Sequence, residues 1–156
     1  MTPTDRLVDQ LNRTFRGPAW HGPTLVELLA DVSAEEAAQV TLPNVHTIWE
    51  IVLHAAAWKR AVRARVEGKP VQLEGDADWP LVLGDSERAW HDALADLDAA
   101  HASLEARVRA MSEAVLDQPS PTDASITIYG TLHGIIQHDL YHAGQIALLK
   151  KAIRAR

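Results

Sequence analysis

Leu7, Leu11 and Phe15 recur every fourth position near the start of the chain, which predicts an amphipathic helix. Thr4 stands as its N-cap with Asp5 in the first turn, and Gly17-Pro18 ends it. A short helix is expected from residue 23 or 24 to about 31, and another after Ser33, where Glu36 completes a capping box. A second long helix is expected from Pro43-Asn44 to the stop at Gly68-Lys69-Pro70. Between Lys69 and Gly84 the periodicity gives way to Pro, Gly and Asp, a stretch long enough to carry the chain from one end of a bundle to the other. On the third helix, starting near Asp85 or Ser86, Trp90, Leu94, Leu97, Leu104, Val108 and Met111 fall at steps of three and four, with His101 filling the one gap. Pro119 and Pro121 mark the next loop, and the last helix is expected from Ser125 to about Ile153. Residues 125–129 are the best strand candidate, but nothing punctuates them from the helical period that follows, so they read as the helix start. Gly130 and Gly134 each cost that helix roughly 1 kcal/mol relative to Ala, which points to close helix approach. The pattern as a whole predicts an all-α, four-helix bundle with a long crossover between helices 2 and 3, one domain over residues 1–156.

Composition changes that picture in three places. The chain contains no Cys, so disulfides, thiolate metal sites and a Cys nucleophile are excluded. A net charge of −6 argues against direct nucleic-acid binding, which needs a basic face. No apolar run reaches the length of a membrane span and the N-terminus lacks a signal-peptide core, so a cytoplasmic protein without membrane contact is expected.

The chemistry lies in the eight histidines. His138 and His142 sit one turn apart on a core-directed face of the last helix, together with Ile135, Gln145, Ile146 and Leu149. Burying two adjacent imidazoles is costly unless each finds a partner, and a shared cation satisfies both at once. The pair alone is a weak signal, because two hydrogen-bonded core histidines fit the same pattern. A third ligand is available in His54, on a face of the second long helix with Ala57, Trp58 and Ala61 and with Glu50 one turn away. Glu50 could orient His54 through its other ring nitrogen, or serve as an exposed helix acid. His46, about 80° from His54 around the helix, reads as a cap or rim residue. His101 is a reserve ligand or a satisfied core histidine, His133 points away from His138, His91 reads as exposed, and His21 lies in a loop.

The segments His46-Thr-Ile-Trp-Glu-Ile-Val-Leu-His54-Ala-Ala-Ala-Trp58 and Gln137-His138-Asp-Leu-Tyr141-His142-Ala-Gly144-Gln145-Ile146 resemble the DinB/YfiT-like superfamily of bacterial proteins. The loop Ala19-Trp20-His21-Gly22-Pro23 and the segment Asp78-Trp79-Pro80 are similar to it too, as are the helix order and the crossover. The resemblance implies an up-down-down-up bundle holding one divalent metal ion through His54, His138 and His142. It also implies thiol-dependent S-transferase or isomerase activity with a low-molecular-weight thiol, or metal-dependent hydrolysis, or a DNA-damage-inducible stress protein without known chemistry.

Three imidazoles with a fourth coordination position suit Zn, Ni, Fe or Mn and leave room for water or a substrate thiol. Without Cys in the chain, any sulfur chemistry must use a thiol from outside. The reading favoured is therefore a metal-dependent S-transferase acting on a small-molecule substrate, with a hydrolase or a non-catalytic metal-binding interaction protein as alternatives. Glu50, Tyr141 and Gln145 are candidates to support the ligands, and Trp20, His21 and Trp79 are candidates for the pocket rim. Lys59, Arg60, Arg63 and Arg65 could attract an anionic co-substrate or complement a helix C-terminus. Leu132, Ile136, Leu140, Ala143 and Ala147 form a second apolar strip on the last helix, which predicts thick helical layering or, preferably, a homodimer.

Overall fold

The computed structural model describes residues 1–155; Arg156, which the sequence pattern places with Lys150, Lys151 and Arg154 as a cation complementing the end of the last helix, lies outside the described residues. Hydroxyl caps set where the helices begin. Thr2, Thr24, Ser33 and Thr47 each close a reciprocal capping box, with Asp5, Glu27, Glu36 and Glu50 reaching back to the cap N–H. They start α1 (Pro3–Phe15), α2 (Leu25–Leu29), α3 (Ala34–Ala38) and α4 (Ile48–Val66). Helix α1 thus begins a little earlier than Thr4. Helix α4 begins later than Pro43-Asn44, because Asn44 adopts a left-handed φ of 60° that no helix continues through. Ser86 caps α5 (Glu87–Ala110) and Thr127 caps α6 (Ile128–Arg154).

The expected start of α6 is corrected. Pro119–Ser120 (β1) and Asp123–Thr127 (β2) form a small antiparallel hairpin, pairing Pro119 with Thr127 and Ser120 with Asp123. All five β2 residues are exposed, so no buried face gave the strand a period of two to read. The helix begins only where the Thr127 hydroxyl accepts the Gly130 N–H at 3.0 Å.

Helix α4 packs on both α5 and α6, and so does α1. The α5 seam is buried as its spacing predicts: Trp90, Leu97, Leu104 and Val108 are inaccessible, and the Trp90 indole N–H donates to the Val32 carbonyl at 2.7 Å. The second apolar strip of α6 is covered within the chain at Leu132, Ile136 and Ala143, whereas Leu140 and Ala147 are half-buried and line an open groove. Leu132 and Ile136 join Leu7, Val8 and Leu11 of α1, and Ala143 joins Leu25 and Leu29 of α2, so layering accounts for the burial of these three. The cations at the end of α6 tie down α2 and α3: Arg154 bonds Asp31 and Glu36 at 2.8 Å each, and Lys150 reaches Asp31 and the Leu28 carbonyl. No described helix is long and apolar enough to cross a membrane.

His101, the reserve ligand, is a core residue. Its ring stacks on Phe15 with centroids 3.9 Å apart, and Nε2 meets Asn12 Oδ1 at 3.2 Å. Burial, then the Lys59 and Arg16 cations, push its pKa down from 6.5 to about 2. The unfolded chain therefore takes up a proton below about pH 6.5 that the folded chain refuses. This contribution is fully present above that pH and is lost by about 1.4 kcal/mol per unit as pH falls toward 2. Urea midpoints measured between about pH 7 and pH 4.5 should drop more steeply for the natural chain than for His101→Gln.

Candidate metal centre

Thr47 and Glu50 fix the start of α4, which places His54 two turns in, on the face turned toward α6. The i, i+4 spacing of His138 and His142 points both rings at it. The three Nε2 atoms converge: His138 Nε2 lies 3.0 Å from His54 Nε2 and 3.1 Å from His142 Nε2. His54 and His142 are buried at 5% and 3% exposure.

The opposite ring nitrogens decide what the convergence means. His54 Nδ1 lies 2.7 Å from the Asp78 carbonyl oxygen and 3.2 Å from Asp78 Oδ1. Both atoms only accept, so Nδ1 carries the hydrogen and Nε2 presents a lone pair. His142 Nδ1 is in the same position against Gln145 Oε1 at 2.7 Å. A single proton on His138 Nε2 can serve only one of the two short contacts. Burial also holds all three rings neutral: it pushes His138 down to about 3 and His142 to about 4, and lowers His54 despite the opposing Asp78 carbonyl. With the His54 and His142 lone pairs both aimed at His138 Nε2, at least one of the two contacts sets lone pair against lone pair unless a cation sits among them, and the separations suit nitrogen ligands at roughly 2.0–2.1 Å from one ion. The three histidines can therefore hold a metal ion.

Other candidates fall elsewhere. Glu50 does not orient His54; its carboxylate accepts the Thr47 N–H at 2.7 Å and lies 3.5 Å from His46. The orienting group is Asp78, delivered by the 69–84 connection, and its Oδ1 also accepts the Trp58 indole N–H at 2.7 Å. Gln145 supports His142, while Tyr141 is largely exposed with its ring 5.2 Å from that of His142. Trp79 is sandwiched between His46 at 3.5 Å and His54 at 3.8 Å, nearly parallel to both. Trp20 is fully exposed, and with His21 it borders a depression beside α1 rather than the histidine cluster.

The triad opens onto a cleft of about 760 Å³ between α4, α6 and the hairpin. Trp58, Val62 and Ile135 give it apolar walls, and Arg65, Gln72 and Thr122 give it polar ones. Gly130 and Gly134 face this space instead of a neighbouring helix. A Cβ on Gly134 would meet nothing within 4 Å, and one on Gly130 would meet Ile126 of the adjoining strand.

Lys59 is not part of a surface basic cluster. It is wholly buried and bonds Asp139, also wholly buried, at 2.5 Å, joining α4 to α6 beside the triad. Burial raises the Asp139 carboxyl above its ordinary value, and the Lys59 ammonium opposes that rise. Arg60 and Arg63 are engaged with Asp96 and Glu67 on the surface.

No curated protein and no solved structure matches the chain. The model of the DinB superfamily matches residues 9–146, a span that takes in all three convergent histidines, and the chain belongs to that superfamily.

Proposed function

We propose that this chain is an up-down-down-up four-helix bundle that binds one divalent metal ion through His54, His138 and His142. On this reading it works as a metal-dependent S-transferase, joining an external low-molecular-weight thiol to a small electrophile. The observation that carries the proposal is the convergence of three neutral imidazole nitrogens beside an open cleft. A chain without Cys must take any sulfur from solution, and the cleft has room for a thiol and a second small molecule.

A divalent ion held there supplies Lewis acidity that lowers the pKa of a bound thiol or water. The protein's own residues do the positioning. Asp78 and Gln145 fix the tautomers of His54 and His142. Trp79 covers one face of His54 and keeps water from it. Trp58, Val62 and Ile135 offer an apolar bed for the substrate's carbon skeleton, and Tyr141 offers a phenol at the rim.

Protein purified without a polyhistidine tag should carry about one equivalent of metal by elemental analysis, and His138→Ala should carry almost none. Metal-loaded protein given an electrophile should turn it over only when a small thiol is added. Unchanged metal in His138→Ala would remove the site. Turnover of esters or amides without thiol would replace transfer by hydrolysis.

A further inference from the structure

The cleft contains a cation that the chain itself leaves without an acid. Arg65 stands on α4 three turns beyond His54 and lines the same cleft. Its Nε–H donates to the Val71 carbonyl at 2.9 Å, and its guanidinium carbon lies 5.2 Å from the centre of the Trp58 ring. These two contacts fix the plane of the group and leave its terminal Nη1 and Nη2 free to act as a fork. No carboxylate lies within ion-pairing distance of it among the described residues, whereas Arg13, Arg60, Arg63, Arg109 and Arg154 each have one.

Nearby acids are committed elsewhere. Asp123 lines the cleft, but its carboxylate accepts the Ser125 N–H at 2.9 Å and the Ser125 hydroxyl at 2.6 Å. Asp78 is held by Trp58 and His54, and Glu67 by Arg63 and Lys69. Partial burial lowers the Arg65 pKa with no acid to offset it. A half-buried guanidinium over an indole is an anion receptor of known kind, and a planar fork matches a carboxylate best.

We infer that Arg65 binds the carboxylate of an organic acid whose carbon body lies along Trp58 toward the histidine triad. Trp58 sets the span, since its ring is 5.8 Å from that of His138 on one side and 5.2 Å from the Arg65 guanidinium on the other. The substrate class is thus a small organic carboxylate with an aryl or alkyl body and its reactive end at the three imidazoles. This rests on the cleft being the substrate site, as proposed above, and not on which reaction occurs there.

The test is calorimetric titration of metal-free protein with 4-phenylbutyrate and with its neutral amide, so that the carboxylate cannot bind an ion instead. The natural chain should bind the carboxylate about tenfold more tightly than the amide, as a charge-assisted contact requires. Arg65→Gln should bind both alike, and Arg65→Lys should keep part of the preference, while metal affinity stays unchanged in both variants. Equal binding of acid and amide by the natural chain, or a preference that survives in Arg65→Gln, would overturn the assignment. A preference in a chain that takes up no metal would leave the carboxylate site standing and remove the metal reading alone.

Discussion

Replacing Lys59 by Met should destabilise the protein by about 3–5 kcal/mol, although the new side chain is apolar and similar in length. The loss comes from Asp139, which would remain wholly buried with neither oxygen paired; Oδ1 already lacks a partner. Burying a carboxyl costs several kcal/mol unless a cation or donors compensate it, and Lys59 is what compensates it here. The double variant Lys59→Met with Asp139→Leu removes both charges and should recover most or all of the stability. Chemical denaturation of the two single variants and the double variant measures the coupling directly. If Lys59→Met cost less than about 1 kcal/mol, the pair would not be the linkage between α4 and α6 that its geometry implies.

Zinc added at about a thousandfold over its Kd should stabilise the folded chain by about 4 kcal/mol, because the unfolded chain cannot bring residues 54, 138 and 142 together. For a chain of this length that corresponds to a rise in Tm of roughly 10 °C, reversed by a chelator. His142→Ala should lose the shift. Gln145→Leu should keep it at saturating zinc but need about 10–100 times more metal, since the His142 tautomer is no longer fixed. No shift in the natural chain would mean that the imidazoles meet without sharing an ion.

What sequence made legible is what helical periodicity encodes. The α5 seam, the two-histidine turn of α6 and the face of α4 that carries His54 follow from rotation per residue, while the meeting of the three histidines around one ion was implied by the family resemblance. Asp78 could not be assigned that way. It lies in an aperiodic connection whose path over α4 no spacing reveals, so the role of orienting His54 fell to Glu50, the nearest acid on the same helix. That acid was already committed to its capping box, and the Thr47-x-x-Glu50 pattern was a readable sign of it. Lys59 looked like one of four surface cations because its partner lies 80 positions away on α6. The β2 strand went unread because both its faces meet solvent, and the glycines suggested close helix approach where Gly134 leaves empty volume and Gly130 makes room for Ile126 of the strand.

The sandwich of His46, Trp79 and His54 has a consequence for how the centre responds to what enters beside it. The ring that shields His54 and the carbonyl that holds its proton belong to adjacent residues of one connection. Displacing that connection would release the imidazole from its shield and its anchor together, so wetting of the centre and loss of ligand alignment amount to one event rather than two.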